Sequence, residues 1–125
     1  MNVKKLKEAV EILKEDLDGA LMATDIWGTG TGTAIAGYNQ NPQATALFEK
    51  VTDYMRKALK GAGFPDLKDY YLLEMDNNAM VLVLQFREEG FQWGILVDSS
   101  KVNLGLLLSI AVPDARKAFL EAVND

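Results

Sequence analysis

The sequence contains neither cysteine nor histidine. Without cysteine, the chain has no disulfide bonds, no thiolate metal ligands and no cysteine nucleophile. Without histidine, it lacks the commonest general base and the commonest metal ligand, so catalytic triads and zinc sites of the usual kinds are excluded. The carboxylates are scattered along the chain and supply no nucleophile, base and oxyanion donor in combination. We therefore expect a protein that is not an enzyme and that uses no cofactor and no metal.

Long hydrophobic runs and excess positive charge are also absent. The longest apolar run near the end, Leu104 to Val112, is too short to span a bilayer and is interrupted by Ser109. The N-terminal stretch, Met1 to Leu17, interleaves charged and apolar residues and lacks the apolar centre of a signal peptide. The net charge of -5 argues against binding to a phosphate backbone. We expect a cytoplasmic protein with no membrane insertion and no nucleic-acid partner.

The length of 125 residues predicts a single domain, residues 1–125. A chain of this size buries roughly two thirds of its unfolded surface, so it folds without covalent cross-links.

Three apolar runs of strand length lie between Tyr70 and Asp98. The polar breaks between them, Asp76 to Asn78 and Glu88 to Gly90, have the composition of turns, which predicts an antiparallel meander. The middle run, Ala79 to Phe86, is apolar on both faces and should be an interior strand with helices on each side. The strand that begins at Tyr70 is then a candidate sheet edge, open to pairing with another chain.

Helices and a hairpin precede the meander. A stripe with helical spacing predicts a first helix, from about Asn2 to Asp16. The runs from Ala20 to Trp27 and from Thr33 to Tyr38 predict a hairpin, with Gly28 to Gly32 as a flexible tip rather than a phosphate-binding loop. The stripe consists of Val3, Leu6, Val10, Leu13 and Leu17.

A long second helix begins at Asn41 and Pro42, a typical N-cap and first helical position, and ends near Gly61 and Gly63. Its apolar stripe is wider than one sheet face requires. Either the helix is deeply buried, or part of the stripe contacts a partner.

The chain ends in a further apolar segment. Asn103 is a plausible cap for a helix from Leu104 to Val112, although a strand is an alternative for the same residues. Pro113 cannot donate to the carbonyl of Ser109, so we expect a kink or a restart there.

Only a few of the polar residues in the sequence are candidates for a ligand site. Asp25 and Trp27, near the hairpin tip, form a weak candidate. Asp98 to Ser100 should cap a turn rather than line a site. Only three arginines are present, Arg56, Arg87 and Arg116, and each is expected to be a solvated surface residue rather than an arginine finger.

Three stretches in this order resemble the roadblock/LC7 family, most closely its single-domain prokaryotic, MglB-like type, over the whole chain. The first opens the hairpin and reads GALMATD from Gly19 to Asp25. The second is the helix from Leu47 to Leu59. The third reads GILVD from Gly94 to Asp98 and is followed by NLGLL from Asn103 to Leu107.

The resemblance implies an α+β fold in the order α-β-β-α-β-β-β-α, a profilin-like five-stranded antiparallel sheet flanked by helices on both faces. It implies a homodimer that regulates a small Ras-like GTPase or serves in a signalling or motor complex. Carried onto this chain, the dimer or partner surface comprises Leu47, Val51, Tyr54, Met55 and Ala58 on the second helix, and Tyr70, Leu72 and Glu74 on the edge strand.

An alternative interpretation is a small-ligand sensor of profilin-like or PAS-like shape. Its pocket would lie between sheet and helix, near Trp27, Phe91 and Trp93.

Overall fold

The computed structural model describes all residues from Met1 to Asp125 and contains one five-stranded antiparallel sheet with helices on both faces. This confirms the predicted fold and element order. The spatial order of the strands is β2-β1-β5-β4-β3, so β2 and β3 are the two edges. The strands are β1 Leu21–Gly28, β2 Ala34–Tyr38, β3 Tyr70–Glu74, β4 Ala79–Phe86 and β5 Phe91–Asp98.

One face of the sheet is covered by the first and last helices. Helix α1 spans Val3–Asp16, and the side chain of Asn2 caps it by accepting the Lys5 N–H. The predicted stripe is buried, except that Val3 is exposed. Together with the terminal helix and the sheet, α1 encloses a core of 21 buried residues, in which Trp93 and Phe119 are among the largest fully buried side chains.

The opposite face is covered by one helix alone. Helix α2 spans Pro42–Gly61, with Asn41 as the N-cap and Pro42 in the first turn, as predicted. The buried apolar cluster beneath it has only four members. The members of this cluster are Trp27, Tyr71, Val81 and Val83.

The terminal helix is continuous, which excludes the strand alternative. It consists of α3 Leu104–Leu106, a π-helical segment Leu107–Ala111 and α4 Val112–Val123. In the π segment the Val112 N–H donates to the Leu107 carbonyl, five residues back. The irregularity predicted at Pro113 therefore lies in the turn before it. In an α-helix the ring of Pro113 would clash with the carbonyl of Ser109, four residues earlier. The wider π turn leaves room for the ring.

The meander places β3 at an edge, as predicted, because β3 pairs only with β4. Its alternate residues face opposite sides of the sheet. Tyr71 packs in the cluster under α2, whereas Leu72 packs against the larger core.

None of the helices combines the length and the apolar character that crossing a lipid bilayer would require.

Candidate protein-interaction surface and adjoining cavity

The outward side of α2 carries a continuous apolar stripe. Tyr54 is 74% exposed and Leu47 is 53% exposed, although both are large apolar side chains. Val51 and Met55 are half-buried, and Ala58 is exposed. The only fully buried residues of this 20-residue helix are Thr45 and Thr52. Of the two explanations for the wide stripe, deep burial is therefore wrong, and contact of the exposed part with a partner stays a prediction.

The apolar surface continues past the end of α2. A shallow depression there is lined only by apolar residues, and Phe64 is 64% exposed. Arg56 and Arg87 flank this end and both donate to the carboxylate of Asp66, at 3.1 Å. The residues of the depression are Tyr54, Met55, Ala58, Leu59, Ala62, Phe64 and Leu67.

The edge-strand residues of the expected surface lie on the other side of the sheet. Tyr70 and Glu74 are exposed, and Leu72 is partly buried against the larger core. The side chains of β3 that face α2 are Tyr71 and Leu73. The expected set thus falls into two groups, one on α2 and one along the β3 edge. Its role in an interface stays a prediction.

The hairpin tip is hydrogen-bonded to α2, although residues Thr29 to Thr31 are exposed, and its flexibility stays a prediction. Glu49 accepts hydrogen bonds from Trp27 Nε1 at 2.8 Å and from Gln92 Nε2 at 2.9 Å through the same oxygen. Its other oxygen accepts from the backbone N–H of Gly30. The Thr45 hydroxyl donates to the carbonyl of Gly32 at 2.8 Å. The tip, α2 and β5 are therefore held together by one carboxylate.

No feature of the sequence singled out Glu49. A glutamate among lysines on an amphipathic helix is usually solvated, and its partners lie 22 and 43 residues away along the chain. The only available signal was a tryptophan and a glutamine on predicted strands, each of which needs a partner when buried.

A cavity of about 320 Å³ lies between the N-terminal half of α2 and the sheet. Asp25 and Trp27, the weak ligand-site candidates, both line it. The alternative interpretation placed Phe91 and Trp93 at the same pocket. That placement is wrong, because both pack in the larger core on the opposite face. The exposed side chains of Leu47 and Met75 stand at the opening of the cavity.

Asp25 is the most unusual residue of the cavity wall. It is only 6% exposed, and only one of its two carboxylate oxygens has a hydrogen-bond partner. Its Oδ2 accepts the N–H of Asn41, the α2 N-cap, at 3.3 Å, while Oδ1 has no hydrogen-bond partner. Burial raises the pKa of this carboxyl, and the hydrogen bond from Asn41 partly opposes the rise.

The remaining sequence candidates have structural roles. The Asp98 carboxylate accepts from the Ser100 N–H at 2.9 Å, which confirms a capped turn. Arg56 and Arg87 pair with Asp66, and Arg116 donates to the carbonyls of Asp69 and Gln85. All three arginines thus have partners within the chain, and Arg87 lies at the surface, as expected.

Comparison with known proteins supports the fold through structure alone. The sequence matches no protein-family model and no curated protein. The solved structure of Myxococcus xanthus MglB is similar with a TM-score of 0.75 and 13% identity, over 96% of this chain and 91% of that chain. A roadblock/LC7 domain from Streptomyces avermitilis is similar with a TM-score of 0.59 and 12% identity, over 89% of this chain and 97% of that chain. The chain thus has the roadblock/LC7 fold that its sequence resemblance implied.

Proposed function

We propose that the chain is a non-enzymatic homodimeric module that binds and modulates a small Ras-like GTPase, or that serves as a scaffold in a signalling or motor complex. The observation that carries this proposal is the apolar stripe on α2, which lies exposed on the same molecule as an unpaired sheet edge. Aromatic and aliphatic side chains of this kind are the usual anchors of protein interfaces.

The two features suit association with a second copy. An open edge strand exposes a row of backbone donors and acceptors that another strand can satisfy. Strand β3 is five residues long and contains no proline, so nothing in it blocks such pairing. Pairing of two β3 edges would bring the two α2 helices side by side over one continuous sheet, where Leu47 and Tyr54 would be buried.

The proposed action on a GTPase rests on the fold and on the pairing of the arginines. The fold is shared with MglB and with a roadblock/LC7 domain. Because Arg56, Arg87 and Arg116 are all engaged within the chain, we propose that the protein acts by binding and positioning its partner. It would not supply an arginine to the bound nucleotide.

Self-association is tested by light scattering over a dilution series. We expect the wild-type mass to be twice that of the chain, and Tyr54→Glu to shift the protein towards the monomer because it places a charge in the interface. Ile12→Glu, an exposed apolar position on α1, is the matched control and should stay dimeric. Tyr54 is a cleaner target than Leu72, which also packs in the core. A wild-type monomer at every concentration would contradict the homodimer.

Partner binding is tested by pull-down with small GTPases from the same genome, each loaded with GDP or with a non-hydrolysable GTP analogue. We expect retention of one GTPase in one nucleotide state. Retention of none of them in either state would contradict the GTPase proposal and leave only the scaffold role.

One observation favours the second candidate function, a small-ligand sensor. A cavity of about 320 Å³ lies beside α2, and nine of its fifteen lining residues are hydrophobic.

A further inference from the structure

Strand β3 presents the backbone groups of every second residue along its free edge. The Asp69 carbonyl accepts the Gln85 N–H at 2.8 Å. The Met75 N–H donates to the Ala79 carbonyl, also at 2.8 Å, so the odd-numbered residues of this stretch bond to β4. In an antiparallel ladder the residues between them direct their N–H and C=O groups away from that partner strand. The residues of β3 with outward backbone groups are Tyr70, Leu72 and Glu74.

One register lets a second copy pair with all of these residues. A two-fold contact uses the same surface on both copies, so the two β3 strands run antiparallel and every pairing occurs twice. A register centred on Leu72 places this residue opposite itself and Tyr70 opposite Glu74 of the second copy. A shift by two residues would leave one of the three opposite a residue that lies outside β3.

The charges at the two ends of β3 agree with this register. Lys68 precedes the strand and Glu74 ends it, and neither residue forms an ion pair within the chain. In the antiparallel register Lys68 lies diagonally across from Glu74 of the second copy, within reach of a long side chain. Parallel strands would instead bring like charges together at both ends.

The same register brings two apolar features of unlike shape together. The cavity beside α2 opens at one end of β3, between the exposed side chains of Leu47 and Met75. At the other end, the side chain of Phe64 projects with 64% of its surface exposed, next to the last turns of α2. A two-fold axis perpendicular to the sheet keeps both α2 helices on one face, so the Phe64 end of each copy meets the cavity end of the other.

We propose that a second copy of this chain closes the cavity beside α2, with its Phe64 ring inserted between Leu47 and Met75. The inference rests on the proposed homodimer and identifies the side chain that completes the cavity in it. The volume of about 320 Å³ exceeds the roughly 150 Å³ that accommodates benzene, so a phenylalanine ring fits without displacement of the wall. The apolar wall that receives the ring includes Phe48, Val81 and Leu96.

The direct test is an isotope-filtered nuclear Overhauser experiment on wild-type dimers mixed from labelled and unlabelled protein. We expect contacts from the Phe64 ring of one copy to the methyl groups of Leu47 and Met75 of the other. Phe64→Leu, which keeps an apolar side chain without a ring, identifies the ring signals. A dimer that lacks these contacts would overturn the insertion and leave the homodimer standing, whereas a wild-type monomer would contradict both.

Phe64→Ala measures the contribution of the ring to association. We expect the dissociation constant of the dimer to rise at least tenfold, because the variant loses a buried aromatic anchor. The side chain is exposed in the single chain, so the fold should be retained, which circular dichroism checks. Ile110→Ala, at an exposed apolar position on the terminal helix, is the matched control and should keep the wild-type constant. Equal constants for Phe64→Ala and wild type would overturn the proposal.

A charge exchange tests the register. Lys68→Glu and Glu74→Lys each place like charges at both ends of the paired strands, so each homodimer should dissociate more readily than the wild type. An equimolar mixture of the two variants restores both opposite-charge contacts. Native mass spectrometry at low ionic strength should therefore show more heterodimer than random mixing gives. Random mixing would overturn the register and the insertion that depends on it.

A small ligand is the competing occupant of the cavity. Indole, added to the wild-type dimer, should cause no saturable amide shifts at the cavity wall, because the ring of the second copy already fills the space. Saturable shifts at Ala23 and Leu96 would overturn the proposal and favour the sensor.

Discussion

The two faces of the sheet differ in how their helices are attached. On the face of α1 and α4, the core contains 21 buried apolar residues and α1 contributes Leu6 and Leu13, both fully buried. On the face of α2, the buried apolar cluster has four residues, and the helix itself buries only Thr45 and Thr52. The first face is held by a large apolar core, and the second by a smaller apolar cluster, on which Phe48, Val51 and Met55 pack, together with directional hydrogen bonds.

Buried polar groups follow the same division. Five of the six buried polar residues lie on α2 or on the strand faces beneath it, and Thr24, which accepts from Trp93 Nε1, is the exception. The Thr52 hydroxyl and the Tyr71 hydroxyl are 2.7 Å apart, and Gln85 donates to Gln92 at 3.2 Å. A helix attached in this way leaves the large side chains of Leu47 and Tyr54 exposed. The contrast therefore separates a face with a large closed core from a face whose helix still exposes apolar side chains.

The largest effect should come from the packed face. Phe119 contacts three aromatic rings, with centroid distances of 4.0 Å to Phe86, 5.7 Å to Phe91 and 6.4 Å to Trp93. Phe119→Ala should lower the free energy of unfolding by about 3–5 kcal/mol, because it leaves a cavity in a close-packed core. Urea denaturation, at a dilution where the protein is monomeric, measures the change.

The matched control for this substitution is Tyr54→Ala on α2. In the monomer it should change the free energy of unfolding by no more than about 0.5 kcal/mol, because the side chain is already solvated. Comparable losses for Phe119→Ala and Tyr54→Ala would contradict the division between the two faces.

An intermediate effect is expected where α2 is fastened by hydrogen bonds. Glu49→Ala leaves Trp27 Nε1 and Gln92 Nε2 without their acceptor and should cost about 1–3 kcal/mol. It should also accelerate hydrogen exchange at the Gly30 amide, which loses its bond to the same carboxylate. Lys50→Ala, an exposed neighbour on α2, is the control. If both variants show wild-type stability and exchange, Glu49 does not fasten the tip.

The smallest effect should appear in the pH dependence of stability. The hydrogen bond from Arg56 lowers the pKa of Asp66, with further contributions from the Leu67 N–H and from Arg87. A carboxyl whose folded pKa is lowered stabilises the fold above its unfolded pKa, near 3.9, and that contribution is lost as the pH falls through the folded value. Asp66→Asn should therefore flatten the loss of stability below about pH 4.

The effect is small because Asp66 is exposed and screened by solvent and salt. Thermal unfolding of wild type and variant between neutral and acidic pH measures it. Asp76→Asn, an exposed carboxyl outside these ion pairs, should follow the wild-type curve. A parallel loss in Asp66→Asn and wild type would show that the pair makes no net contribution.

The sequence predicted the elements well because each is encoded locally. The Asn41-Pro42 start, the turn residues at Asn77 and Asn78 and the two-sided apolar run of β4 are all short-range signals, and the structure has each where it was expected. Both asparagines adopt positive φ, of 63° and 58°, which this residue type tolerates. The position of β3 at an open sheet edge was predicted from the two-sided apolar run of β4.

The candidate site was less predictable, because its features depend on contacts between distant residues. The apolar excess of α2 was visible as a stripe that is too wide, but nothing in the sequence pairs Glu49 with Gln92. Asp25 was noticed as a polar residue near a tryptophan, yet its unpaired oxygen depends on which neighbours reach it. The misplacement of Phe91 and Trp93 has a simpler cause, since strand alternation fixes which residues share a face but not which helix covers that face.

The π segment from Leu107 to Ala111 has a consequence for how this chain compares with others. A π turn carries one residue more than the α turn it replaces. The segment therefore acts as a one-residue insertion absorbed within a helix, and it rotates everything after it by about 100° relative to an unbroken α-helix. A relative that lacks the segment would align with Val112 to Val123 only after a single-residue gap. An ungapped alignment would match each buried position of the last helix with one about 100° away around the helix axis.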